Sequence, residues 1–191
     1  MAVSSGSRLR GWPALNPGLL VASPQMRDSN FDHSVVLLVS HGPDGSLGVV
    51  VNRETQQRMV DVVSGLAVKS GLPPTNASRP ALWGGPVEPG TGFVLWRGSG
   101  PEGWSLGAYS LSQSRDRLRA LVAAGDDFWL CLGYAGWGPG QLERELTEGS
   151  WIALEEGVEQ VLGAPVHERY DAALRLLGVD PRILWMTPVD E

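Results

Sequence analysis

The chain holds one cysteine, Cys131, and three histidines, and fourteen of its fifteen basic residues are arginine. A lone thiol excludes an intrachain disulfide and any zinc site built on paired cysteines. His33, His41 and His167 show no ligand spacing with one another or with Cys131, so no metal ligand set is expected, and each reads as a surface or turn residue. Long apolar runs are also missing. The segment "GWPALNPGLLVASP" is broken by Pro13, Asn16 and Pro17 before a signal core can form, and no run approaches the roughly eighteen residues of a membrane span. Positive charge is scarce too: 21 acidic residues against 15 basic ones leave a net charge of −6. That balance disfavours nucleic acid as a partner, and the densest basic stretch, "SRDRLR", spreads Arg115, Arg117 and Arg119 over different sides of a helix. The expectation is a cytoplasmic protein with no membrane partner.

What is present describes an ordinary core. Within 191 residues, 42% are hydrophobic and 19% charged, a balance suited to one globular domain. Residues 1–15 read as an irregular extension and 182–191 as a tail around a domain at 16–181. "LLVA" is a short strand, and "SVVLLVSH" and "LGVVVN" flank the turn "HGPDGS", predicting an antiparallel hairpin over 34–52. Met59, Val62, Val63 and Leu66 share one face of a helix predicted over "QQRMVDVVSGLA". "ALWGGPV", "GFVLWRG" and "WSLGAYSLS" read as three strands, and Ser114 and Gly125 bracket a helix as N-cap and C-terminal stop. "DFWLCLGY" lacks alternation and so predicts a central strand covered on both faces, where Cys131 would be buried and inert. Short helices over "QLERELTEG" and "EEGVEQVLG", a strand at "WIAL" and a helix over "PVHERYDAALRLLG" complete the chain. Strands cluster early and helices late, which places the fold in the α+β class.

Three motifs invite chemistry and fail on context. "GWSLG" matches a nucleophile elbow at Gly103, Ser105 and Gly107, with Asp126 and His167 following in hydrolase order. An elbow sits between a strand and a helix, whereas a loop precedes Ser105 and strand-like residues follow it. "DSNFDH" spaces Asp28, Asn30 and Asp32 like a calcium loop, but His33 stands where Gly is required and Val39 where Glu is required. Asp28 and Asn30 are instead expected to close a turn through backbone bonds. "LGYAGWGPGQ" resembles a phosphate cradle, yet it lacks the Rossmann spacing and the P-loop lysine. Gly138 as N-cap and Pro139 as first helical residue would make it a tight turn seating Tyr134 and Trp137. Eight tryptophans are many for this length; Trp83, Trp96, Trp104 and Trp137 lie within two residues of glycine, where rings pack over bare backbone or line a cleft.

Together, "GLLVASPQMRDSNFDHSVVLLVSHGPDGSLGVVVNR", "GGPVEPGTGFVLWR" and "LGYAGWGPGQLERELTEGSWI" resemble the YqgE/AlgH family of bacterial proteins, in the same order and at similar separations. The resemblance implies a single compact domain whose largely antiparallel or mixed sheet splits and curls into a partial barrel, with helices packed outside. It implies a cytosolic protein of a family without an established activity, and a regulatory association through a member named as a proposed regulator of alginate production. Ser23, where members often carry Met, Trp96, where His is frequent, and the tail depart from the pattern.

The leading functional reading is a non-enzymatic ligand-binding or regulatory protein with no catalytic residue and no cofactor, taking a small molecule or a protein partner in an oligomeric state the sequence does not specify. Its expected cleft is bordered by Asp28, Phe31, Asn52, Gly84, Gly85, Pro86, Tyr134, Gly136, Trp137, Gly138 and Gln141, because polar and glycine-rich residues concentrate in those loops between apolar strands. The alternatives are a small enzyme of hydrolase type using Asp28, His33 or Ser105, and a DNA-binding regulator, which the acidic balance opposes.

Overall fold

The computed structural model describes residues 18–65 and 74–180. The expected N-terminal extension, the C-terminal tail and Leu66 lie outside the described residues. The chain runs through β1 (Leu19–Ala22), β2 (Val35–Gly42), β3 (Gly45–Val50), β4 (Glu54–Arg58), α1 (Met59–Gly65), α2 (Pro74–Ala77), β5 (Pro80–Trp83), β6 (Val87–Arg97), β7 (Trp104–Leu106) and β8 (Tyr109–Ser112). It continues through α3 (Arg115–Ala124), β9 (Phe128–Trp137), α4 (Gln141–Thr147), β10 (Trp151–Leu154), α5 (Val158–Gly163), a 3-10 turn (Val166–Glu168) and α6 (Arg169–Leu176). The strands form one open sheet in the order β10-β1-β2-β3-β9-β6-β8-β7, with β4 and β5 branching from β9. Every pairing is antiparallel except β5 with β9. The α+β reading holds, with a mostly antiparallel sheet that does not close.

The branch arises because β9 is longer than its neighbours on one edge. Its first part pairs with β5 (Leu82 with Cys131) and its last part with β3 (Ser46 with Trp137), while β6 follows its other edge. Both faces of β6 and β9 are covered. Phe93, Leu95 and Cys131 face Val161, Leu162, Tyr170 and Leu174 of α5 and α6, and Val94, Trp96, Phe128 and Leu130 face Val63, Leu118, Leu121 and Val122 of α1 and α3. The expected doubly covered central strand is therefore β9, and burial pushes the Cys131 thiol up to about 12, the nearby Arg169 opposing weakly.

Three local expectations change. The helix predicted from Gln56 begins at Met59, because Glu54–Arg58 pair with β5 instead. "WSLGAYSLS" is two strands, β7 and β8, folded about Gly107. The glycine stretch is mostly strand: β9 continues to Trp137, and α4 is entered through Gly140 at φ 69°, so Gly138 is not the N-cap. Gly133, at φ 76°, takes a left-handed conformation within β9, where the register with β6 shifts. The backbone of Gly84 and Gly85 crosses so close to Gly133 and Tyr134 that a Cβ at Gly84, Gly85 or Gly133 would strike a facing backbone atom.

One buried cation ties the layers together. Arg169 is fully buried; it donates to the carbonyls of Val51 (2.6 Å), Leu162 (2.9 Å) and Ala164 (3.2 Å) and lies over the Trp129 ring at 4.6 Å. Burial lowers it to about 10.

Candidate functional site

The loop after β1 turns tightly. The Asn30 N–H donates to the Asp28 carboxylate (2.9 Å) and the Phe31 N–H to the Asp28 carbonyl (2.9 Å), the turn read from the sequence. Arg53 donates to the carbonyls of Asn30 (2.6 Å) and Asp32 (2.9 Å) while its guanidinium lies 4.9 Å from the Trp83 ring centroid. Asn52 accepts from the Val35 N–H and donates to the His33 carbonyl, both at 2.8 Å. These bonds hold Phe31 against three tryptophans: Trp83 at 6.2 Å, Trp137 at 6.5 Å and Trp151 at 5.5 Å between ring centroids.

Helix α4 supplies the opposite wall. Gln141, Glu145 and Glu148 follow each other at i, i+4 and i+7, one face of a helix. One oxygen of Glu145, Oε2, accepts both the Trp137 indole N–H (2.8 Å) and the Trp151 indole N–H (2.9 Å). Its Oε1 accepts from the Gln141 amide (2.8 Å), whose own oxygen accepts from the Gly138 N–H (3.0 Å). Buried indole N–H groups need acceptors, and a single carboxylate serves both tryptophans and so sets the angle between their rings, 76° at 5.8 Å. His41, read as a surface or turn residue, stands at the hairpin end of β2 with its side chain only 8% exposed against α4. Its Nδ1 meets Ser46 Oγ at 2.7 Å and its Nε2 lies 3.6 Å from Glu143, so it anchors the helix to the β2–β3 hairpin.

Between these walls opens a cleft of about 540 Å³. Of the residues expected at the site, Asp28, Phe31, Gly136, Trp137 and Gln141 line it. The others do not. Asn52 clamps the loop from behind, Gly84 and Gly85 form the backbone crossing, Pro86 is exposed outside the cleft, and Gly138 donates its N–H to the Gln141 side chain while its carbonyl accepts from the Gln141 N–H. Tyr134 packs on Phe93 at 6.4 Å, and desolvation, then the neighbouring Glu88 carboxylate, raises its hydroxyl above the usual value. The cleft gains Ser23, Gln25, Met26, Arg27, Glu145, Glu148, Gly149, Ser150 and Trp151, which the sequence reading did not place there. The spacing of Gln141, Glu145 and Glu148 was the available signal; Trp151 carried none, since it sits on β10, paired with β1 from the far end of the chain.

Ser105, Asp126 and His167 share no hydrogen bond. Ser105 lies on β7 at the end of the sheet order and is followed by a hairpin instead of a helix. Asp126 offers its backbone carbonyl to Asn76, and the His167 side chain is 79% exposed beside Glu168. His33 pairs with Asp32 at 2.6 Å and packs edge-on against Tyr170. Among the described residues no group of three His, Cys, Asp or Glu side chains is placed to hold a metal ion, and no helix is long and apolar enough to cross a membrane.

Comparison with known proteins agrees with this architecture. A UPF0301 protein of Anaeromyxobacter sp. (strain Fw109-5) is 41% identical over 179 residues, covering 87% of this chain and 90% of the relative. A UPF0301 protein of Myxococcus xanthus is 41% identical over 175 residues, covering 90% and 96%. The solution structure of the AlgH protein from Pseudomonas aeruginosa superposes with a TM-score of 0.72 at 31% identity, covering 96% of this chain and all of that one. A crystal structure from Corynebacterium diphtheriae shares the fold, with a TM-score of 0.65 at 20% identity over 88% of this chain and 89% of that one. A family model described as AlgH-like matches residues 19–182, and the chain accordingly belongs to the AlgH-like family.

Proposed function

We propose that this protein is a cytoplasmic, non-enzymatic binding protein, regulatory in its use, whose ligand occupies the cleft between the 23–31 loop and α4. The observation that carries the reading is the Glu145 carboxylate holding Trp137 and Trp151 at fixed angles along a 540 Å³ opening. Such a wall is pre-organised, so a ligand meets it without ordering cost in these rings, and the volume falls in the usual range of small-molecule sites. The lining holds no histidine or cysteine, and the Ser23 hydroxyl accepts from the Gln25 N–H (3.1 Å), so the lining supplies neither a thiol nor an imidazole base for covalent chemistry.

The test is native mass spectrometry of the purified protein for a co-purifying small molecule, repeated on Asp28→Asn and Trp151→Phe. Loss of the bound mass in both variants, at unchanged melting temperature for Asp28→Asn, supports the reading. A bound mass retained in both variants, or no bound mass together with turnover in a broad hydrolase panel, overturns it.

A further inference from the structure

We infer that the ligand of this cleft is an organic cation of the ammonium type, an inference that rests on reading the cleft as a binding site. Three carboxylates line it, Asp28, Glu145 and Glu148, against one basic side chain, Arg27. Glu145 is the central group. Its three hydrogen-bond partners, the two indoles and the Gln141 amide, are all neutral donors, which orient the carboxylate without cancelling its charge. Among the described residues no Lys, Arg or His stands within ion-pair distance of Glu145, Glu148 or Asp28. The lining thus keeps a net excess of negative charge beside a half-buried phenyl ring, Phe31, against which the buried Trp137 and Trp151 pack.

Aromatic rings present negative faces to a cation, and they favour one that sheds its water easily, such as a methylated ammonium. The same features oppose an anion. The backbone N–H of Gly138, at the approach to α4, is already bonded to Gln141, and the first turn of α4 carries Glu143. They oppose a bare metal ion as well, since the carboxylates do not converge on one point.

The test uses the full-length, 15N-labelled protein and two probes of equal shape: choline, and 3,3-dimethyl-1-butanol, in which carbon replaces the ammonium nitrogen. The readout is the pair of indole N–H resonances of Trp137 and Trp151, assigned with the single Trp→Phe variants. Choline is expected to shift both resonances saturably and to bind about tenfold more tightly than the alcohol, the discrimination that one unit charge in such a setting supplies. The Asp28→Asn/Glu148→Gln double variant, whose replaced side chains hold no tryptophan, should lose about threefold or more of that preference while keeping its melting temperature. Equal affinity for the two probes overturns the cation inference and leaves the binding reading standing, as does a co-purified anion that shifts the same resonances. Absence of any saturable shift with choline also overturns it, whereas the binding reading falls only by the mass-spectrometric outcome given above.

Discussion

Exchanging Gln141 and Glu145 probes whether the hydrogen-bond lattice, and not just the presence of these side chains, sets the cleft wall. In the Glu145→Gln variant the introduced carbonyl oxygen still accepts both indole N–H groups, but its NH2 faces the NH2 of Gln141, which now reaches Glu145 at 2.8 Å. One hydrogen bond is lost and two donors oppose each other, a cost of about 1–2 kcal/mol at a half-buried site. Turning the Gln141 amide over relieves that clash only by breaking its bond from the Gly138 N–H (3.0 Å). In the Gln141→Glu variant two carboxylates meet at the same place and repel, which costs about 1–2 kcal/mol again. With both changes together, the amide at 145 donates to the carboxylate at 141, whose other oxygen keeps the Gly138 N–H, and the indoles keep their shared acceptor. The double variant should therefore lose less than about 0.5 kcal/mol, giving a favourable coupling of about 2 kcal/mol. Urea denaturation followed by far-ultraviolet circular dichroism measures this free of changes in tryptophan emission. A double variant whose loss equals the sum of the two single losses refutes the lattice.

Gly133→Ala should destabilise by at least about 2 kcal/mol, since φ is 76° and the new methyl would strike the Gly85 carbonyl oxygen; a melting temperature within error of the parent protein would contradict the strand crossing. Asn52→Ala should cost about 1–3 kcal/mol because the Val35 N–H and the His33 carbonyl lose their partners, while Asp28→Asn stays within about 0.5 kcal/mol; calorimetry separates the clamp from the cleft. Cys131 should resist alkylation until the protein unfolds. Its thiol is raised from the usual 9.0 to about 12, so above pH 9 the unfolded chain gives up a proton that the folded chain keeps, and stability falls as pH rises. Between pH 9 and 10 the thiol's share of that loss is about 1 kcal/mol, a window in which Tyr170, also raised to about 12 by burial, is only beginning to add to it and Arg169, lowered to about 10, is beginning to offset it. Cys131→Ala should flatten the slope of the urea midpoint over this interval, and an unchanged slope would show that the thiol is not the cause.

Much of this was readable along the chain because it depends on local periodicity. The hairpin over 34–52, the Ser114 and Gly125 ends of α3, and the unbroken apolar run of β9 each follow from side-chain spacing, cap chemistry or two-sided burial. The family, too, was legible, since three long motifs keep their order. The cleft was half legible: Asp28, Phe31, Gly136, Trp137 and Gln141 were placed in it because they sit in polar or glycine-rich stretches. Glu145 looked like one of several carboxylates in a short helix, and Trp151 like an ordinary strand residue. Glu145 lies six residues from Trp151 and eight from Trp137, but this group faces Asp28 and Phe31 only because β10 pairs with β1 and the Asp28 loop, which follows β1, lies beside the end of β9, contacts between segments more than a hundred residues apart. Arg169 likewise reads as one charge in an amphipathic helix, yet it is fully buried on carbonyls from Val51, Leu162 and Ala164. Hydrophobic pattern and turn residues are properties of neighbours in sequence, so the chain alone determined its class and most of its elements, while β4, which has no apolar alternation of its own, exists through its pairing with β5. Which loop the Trp137–Glu145–Trp151 group faces is settled only when β1 pairs with β10 across the length of the chain, so tertiary structure decided the candidate site.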